Sequence, residues 1–183
     1  AGVLEFDGFN WNVITVPAAV YTLVAKDNEI LLGGLSGAGK INDKIQSPRS
    51  YEMFSETTGI FSSAYLQNKA YFCSEDQIVI YSLDTHQVEL TIAVDSAMRK
   101  FQGVYTLGEV VAVRTENKGL FEIQNNVLVP LEFAVNNVIF SIASPSQKTF
   151  LIGTQDNRIF TLKGRDLKEI VPEQADFLSH NIL

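Results

Sequence analysis

Arg114 is the residue whose type is least expected where it stands, at the end of the apolar run Val110-Val111-Ala112-Val113. A charge in that place must reach solvent or find a partner. Its chemistry would suit recognition of an anionic or hydroxylated ligand, or of a partner domain. The simpler explanation is a salt bridge to Glu116 or Glu122, or a rim arginine lying along apolar surface. Asn117, close behind it, and Arg158, in a matching later loop, complete the candidate ligand contacts.

Other chemistries find less support. Gly33 to Gly39 is glycine-rich and runs into Lys40, but a phosphate-binding loop needs Gly-Lys-Ser/Thr before a helix, and Ile41 follows here. A tight link between strands explains it better. Cys73 sits in an apolar run with no base nearby, which suits a buried, inert thiol. As the chain's one cysteine, it permits neither an internal disulfide nor a cysteine-built zinc site. His86 belongs to an outer turn and His180 to the terminal segment, too far apart in sequence to suggest a metal site. The carboxylates are scattered, and Asp156-Asn157 reads as a turn because the flanking ligands of a calcium loop are missing. We therefore expect no catalytic residue, no metal and no cofactor. Trp11, Tyr51 and Phe54 read as packing between outer strands.

The composition narrows the partners. Of 183 residues, 46% are hydrophobic and 19% charged, which excludes a disordered or fibrous chain. The formal charge of -7 argues against nucleic-acid binding, which needs a basic face. No apolar run is long enough to span a membrane as a helix. Residues 1–6 lack the order of a signal peptide. Both ends read as cut from a longer chain, so the compartment is not legible from them.

The elements that must position these residues follow a repeat. Gly33, Cys73, Arg114 and Gly153 recur at steps of 40, 41 and 39. Tyr21, Phe61, Phe101 and Phe140 open the units at steps of 40, 40 and 39. Lys40, Ile80, Phe121 and Phe160 lie seven residues after the first series. A period near forty with four strands per unit is the signature of a β-propeller blade. The expected blades cover about 20–54, 60–92, 101–132 and 138–171, within a single domain. A partial blade at 1–16 precedes them, and 176–183 begins another. Polar turns such as Gln67-Asn68-Lys69 and Gln124-Asn125-Asn126 separate the strands. Inner strands such as Ile78-Val79-Ile80-Tyr81 are continuously apolar, as strands buried on both faces must be. The expected fold class is all-β: a β-propeller fragment of about four four-stranded antiparallel blades, with partial blades at both ends.

Gly2-Val3-Leu4-Glu5-Phe6-Asp7-Gly8-Phe9-Asn10-Trp11 resembles the Gly-x-Leu-x-aromatic-Asp-Gly-x-x-Trp element of a bacterial propeller repeat. Lys118-Gly119-Leu120-Phe121 and Ile152-Gly153-Thr154 resemble its Gly-Leu-aromatic and Gly-Thr steps. Cys73-Ser74 and Arg114-Thr115 depart from the Gly-Thr step, and no second strand carries the tryptophan often found there. The family is the two-component-regulator propeller, the extracytoplasmic sensor of membrane-spanning bacterial regulators. The resemblance implies a noncatalytic, periplasmic module. It would recognise a small-molecule signal, plausibly glycan-derived, or a neighbouring domain, and would touch neither nucleic acid nor membrane. Open blade edges would favour a homodimer. An interaction scaffold and, more remotely, a glycan-active propeller enzyme are the alternatives.

Overall fold

The structure is a computed structural model. It describes residues 1–6, 8–26, 29–42, 49–131, 139–146, 149–164 and 166–171. The opening of the strand expected at 138, that of the strand expected at 148, the segment 176–183 and His180 lie outside these residues.

Eighteen strands are described, and no helix among the described residues. Gly2–Phe6 (β1) and Trp11–Thr15 (β2) form a hairpin. Four antiparallel meanders follow, each a separate four-stranded sheet in chain order. The first sheet is Val20–Lys26 (β3), Glu29–Gly34 (β4), Gly37–Ile41 (β5) and Tyr51–Ser55 (β6). The second is Ser62–Leu66 (β7), Lys69–Cys73 (β8), Gln77–Ser82 (β9) and Gln87–Ala93 (β10). The third is Phe101–Leu107 (β11), Val110–Thr115 (β12), Gly119–Gln124 (β13) and Val127–Pro130 (β14). The fourth is Ile139–Ser146 (β15), Thr149–Thr154 (β16), Ile159–Lys163 (β17) and Asp166–Ile170 (β18). The chain is an all-β arc of propeller blades.

Local chemistry sets the turns. Gln67-Asn68 and Asn125-Asn126 each hold two successive positive φ angles, 50° and 56°, then 49° and 68°. That is the type I′ geometry that matches strand twist, and asparagine tolerates it.

Burial explains the continuous apolar runs. Four core clusters occur, each straddling two consecutive units. Along β8, Ala70 and Phe72 face the first sheet while Tyr71 and Cys73 face the third. Along β12, Val111 and Val113 face the second sheet and Ala112 the fourth. A strand with both faces covered has no polar side to show. The outermost strands are more exposed, and the second half of β10 alternates.

One of the three anchor series holds residue for residue. Gly33, Cys73, Arg114 and Gly153 pair with Thr22, Ser62, Gly103 and Ser141 respectively. The aromatic openers need correction in the third unit. Phe101 pairs with Thr115, as Val20 does with Gly34 and Ile139 with Thr154, so Gln102 stands where Tyr21 and Phe140 stand. That place is a bulge in the first, third and fourth sheets alike. Phe101 is accordingly buried and Tyr21 exposed.

The third series also slips, for a simple reason. The second-to-third-strand turn holds two residues in the first two sheets, closed by Gly34–Gly37 and Ser74–Gln77. It holds three in the later sheets, closed by Thr115–Gly119 and Thr154–Arg158. One extra turn residue shifts everything after it by one place.

The glycine-rich stretch is strand rather than link, since only Leu35 and Ser36 form the turn. Its glycines allow close approach: a Cβ on Gly39 would lie 2.3 Å from Cζ of the Tyr51 ring.

Candidate functional site

The innermost strand of each sheet is a sheet edge, so its outward amides and carbonyls need partners other than a strand. Side-chain hydroxyls supply several of them. The Ser62 hydroxyl donates to the Val104 carbonyl at 3.2 Å and accepts from the Val104 amide at 3.1 Å. The Thr106 hydroxyl donates to the Tyr65 carbonyl at 2.8 Å. Thr22 and Ser63 meet hydroxyl to hydroxyl at 2.5 Å. The first three sheets are thus stapled together along their inner edges.

Between these edges lies a cavity of about 440 Å³. β3, β7 and β11 wall it, and Ile142 and Phe150 reach it from the fourth sheet. Its polar and aromatic walls are Ser63, Tyr65, Tyr105 and Thr106. The residues lining it carry no formal charge. Its size falls within the range of about 300–1,000 Å³ usual for small-molecule sites.

Arg114 is half-buried, and its Nη2 donates to the Gln102 carbonyl on the innermost strand at 3.0 Å. It shares a strand face with Ala112, so it points toward the fourth sheet. Burial raises the Tyr105 phenol above its ordinary range, and the nearby Arg114 charge acts the other way. Of the partners proposed from sequence, Glu116 pairs with Arg99 at 3.9 Å, and Glu122 accepts from Gln124 at 2.8 Å.

Arg158 points the opposite way. Its Nε and Nη2 grip both oxygens of Glu169, on the outermost strand, at 3.0 and 2.6 Å. Its guanidinium lies 4.9 Å from the Phe160 ring centre. The Glu169 pair raises the arginine's pKa and lowers that of Glu169. Asn117 sits in the turn between β12 and β13; its counterpart by turn position is Asp156, while Arg158 is the residue that closes its turn. Arg114 and Asn117 therefore share a hairpin, and Arg158 is spent on the rim of the next sheet.

A turn motif escaped the sequence reading. Ser74, Thr115 and Thr154 are buried at the ends of their second strands. The Ser74 hydroxyl donates toward Asp76 at 2.5 Å and accepts from the Gln77 amide at 3.1 Å. Thr154 reaches Asp156 at 2.5 Å, and Thr115 accepts from the Lys118 amide at 3.2 Å. The signal was present as Ser-Glu-Asp, Thr-Glu-Asn and Thr-Gln-Asp at blade spacing. Gly34 holds that place in the first sheet.

Cys73 is fully buried, and burial pushes its thiol up to about 12. It offers no nucleophile. Phe54 stacks on Tyr81 at 4.1 Å and contacts Phe72, and Tyr51 packs into the hairpin core. Trp11 departs from expectation: it is 67% exposed, with its ring 4.9 Å from that of Phe6.

Consecutive four-stranded meanders packed face to face define a propeller-type fold. No family model matches the chain, and no curated protein matches it in sequence. Solved propellers match it in shape. The extracellular domain of BT4673 from B. thetaiotaomicron aligns with TM-score 0.61 and 15% identity, over 92% of this chain and 25% of that one. The WD40 propeller of Doa1 aligns with TM-score 0.59 and 16% identity, over 85% and 55%. YCF48 bound to D1 peptide aligns with TM-score 0.63 and 9% identity, over 93% and 60%. The chain spans between a quarter and three fifths of those three chains.

Proposed function

We propose that the chain is a noncatalytic binding module, the sensory part of an extracytoplasmic receptor belonging to a two-component-type regulator. The observation that carries this reading is the uncharged cavity of about 440 Å³ between hydroxyl-stapled inner strands. Rigid strands hold such a wall more accurately than loops do. The likeness to the extracellular domain of BT4673, described both as a one component system and as a hybrid two component system, supports the role and the compartment. The signal is a small molecule such as a glycan breakdown product held in that cavity, and Arg114 with Asn117, on a hairpin outside its lining, faces a neighbouring domain. Binding would act on the rest of the receptor only through unequal affinity for two states.

A thermal-shift screen tests the reading. A ligand that binds the folded chain raises its Tm in proportion to the logarithm of concentration. Deleting the chain from its parent receptor should abolish the response to that ligand; an unchanged response removes the sensory role.

A second reading, an interaction scaffold, is favoured by one observation. Leu4, Phe6, Trp11 and Val13 form an exposed apolar face on the hairpin, with β1 at a sheet edge. Sedimentation of the wild-type chain against Trp11→Ser separates the two. Self-association lost in the variant, with no small molecule shifting Tm, favours the scaffold.

A further inference from the structure

We infer that Tyr105 is the residue that couples occupancy of the inner-strand cavity to the β12–β13 hairpin bearing Arg114 and Asn117. The inference rests on the binding-module reading and names how a filled site is reported to the rest of the receptor.

The first two sheets set a pattern from which the third departs. At one register position they pair a hydroxyl on the innermost strand with a small residue on the next: Thr22 with Gly33, and Ser62 with Cys73. Those hydroxyls reach Ser63 and Val104 of the following sheet. The third sheet inverts the pair and sets Gly103 opposite Arg114. Gly103 has no hydroxyl with which to staple, and its φ of 154° disfavours any side chain.

Tyr105 fills the place that glycine leaves. A Cβ on Gly103 would lie 2.7 Å from the Tyr105 Oη, so the phenol lies against the glycine. Tyr105 pairs with Ala112, which makes it a diagonal neighbour of Arg114 on the face turned to the fourth sheet. The guanidinium reaches inward to the Gln102 carbonyl, at the bulge beside Gly103. The phenol feels that charge. Tyr105 also lines the cavity, and Arg114 does not. One side chain thus adjoins both the space a ligand fills and the strand that carries the hairpin.

Two positions of the phenol make the coupling. In the one observed, it lies over Gly103 near the arginine. In the other, an occupant of the cavity draws or pushes it away, which bares Gly103 and changes the surroundings of the guanidinium. A ligand shifts the hairpin by its difference in affinity for these two positions and by no more.

A covalent occupant tests this without a known ligand. Ala25, exposed on the cavity wall, is replaced by cysteine and treated with benzyl methanethiosulfonate. The Ala25→Cys thiolate displaces methanesulfinate, and the mixed disulfide leaves a benzyl group in the cavity. Cys73 is buried, with its thiol pushed up to about 12, and stays unlabelled. Heteronuclear NMR of the full chain then follows the Arg114 Nε–Hε and the Asn117 side-chain amide. Labelling should move both resonances. Tyr105→Phe, which keeps the ring and loses the hydroxyl, should cut that movement by at least half. Resonances unmoved by the label, or moved in full with Tyr105→Phe, overturn the coupling. The binding-module reading survives either result, since truncation of the receptor judges it separately.

Discussion

Gly33 and Arg114 hold the same register position in the first and third sheets, each on the face turned to the next sheet, yet one is the smallest residue and the other among the largest. The neighbours explain the difference. A Cβ on Gly33 would lie 2.5 Å from Cγ2 of Ile60 and 3.0 Å from Cδ1 of Phe72, both fully buried. The junction between the first and second sheets closes on the backbone itself. Between the second and third sheets the same position is Cys73, a small side chain with no exposure. At the third sheet the position admits a whole arginine, which turns inward to the Gln102 carbonyl. A blade repeat thus fixes where a side chain points, and the approach of the next blade fixes how large it can be.

The comparison can be broken most directly by exchange. Gly33→Arg should destabilise the fold by about 3 kcal/mol or more, because it overpacks a closed junction and buries a charge. Arg114→Gly should cost less, about 1.5–3 kcal/mol, the scale of a lost hydrogen bond from a charged donor. Equal shifts in urea midpoint for the two would mean that the junctions do not differ as described.

The next effect is on the inner staples. Ser62→Ala leaves the Val104 amide and carbonyl without their hydroxyl partner. A loss of about 1–3 kcal/mol is expected for such part-buried groups. Hydrogen exchange at the Val104 amide should accelerate, while amides of the β1–β2 hairpin keep their rates.

Cys73 sharpens the picture of the middle junction. Its thiol should resist a disulfide reagent at neutral pH and react only as fast as the chain unfolds. Its folded pKa is raised to about 12, so its contribution to stability is whole below the unfolded thiol's range. That contribution is lost as pH climbs from about 9 toward 12. Cys73→Ala should flatten this alkaline slope.

The smallest effect belongs to the rim. Arg158 holds the Glu169 carboxylate below its ordinary range. The linked stability is present above the unfolded carboxylate's pKa and fades as pH falls through the folded value. Glu169→Gln should remove that slight acid slope and leave neutral stability nearly unchanged, as exposed pairs contribute little. A large change at neutral pH would instead make the fourth sheet's rim a structural clasp.

The sequence carried the period, the four strands per blade and most of the turns. Those features are local: asparagine pairs accept positive φ, and apolar runs without alternation mark strands covered on both faces. It also carried the anomaly at Arg114, because a charge ending an apolar run is visible without a structure. The true equivalences of Phe101 and Phe121 were not legible. A longer turn displaces Phe121 by one residue, and Gln102 rather than Phe101 holds the bulge position shared by the first, third and fourth sheets; constant spacing reveals neither. The direction of Arg114, the spending of Arg158 on Glu169 and the exposure of Trp11 all depended on which sheet faces which. The cavity belonged wholly to the tertiary structure. Its walls come from residues some forty positions apart, brought together because each inner strand is an edge with no strand beyond it.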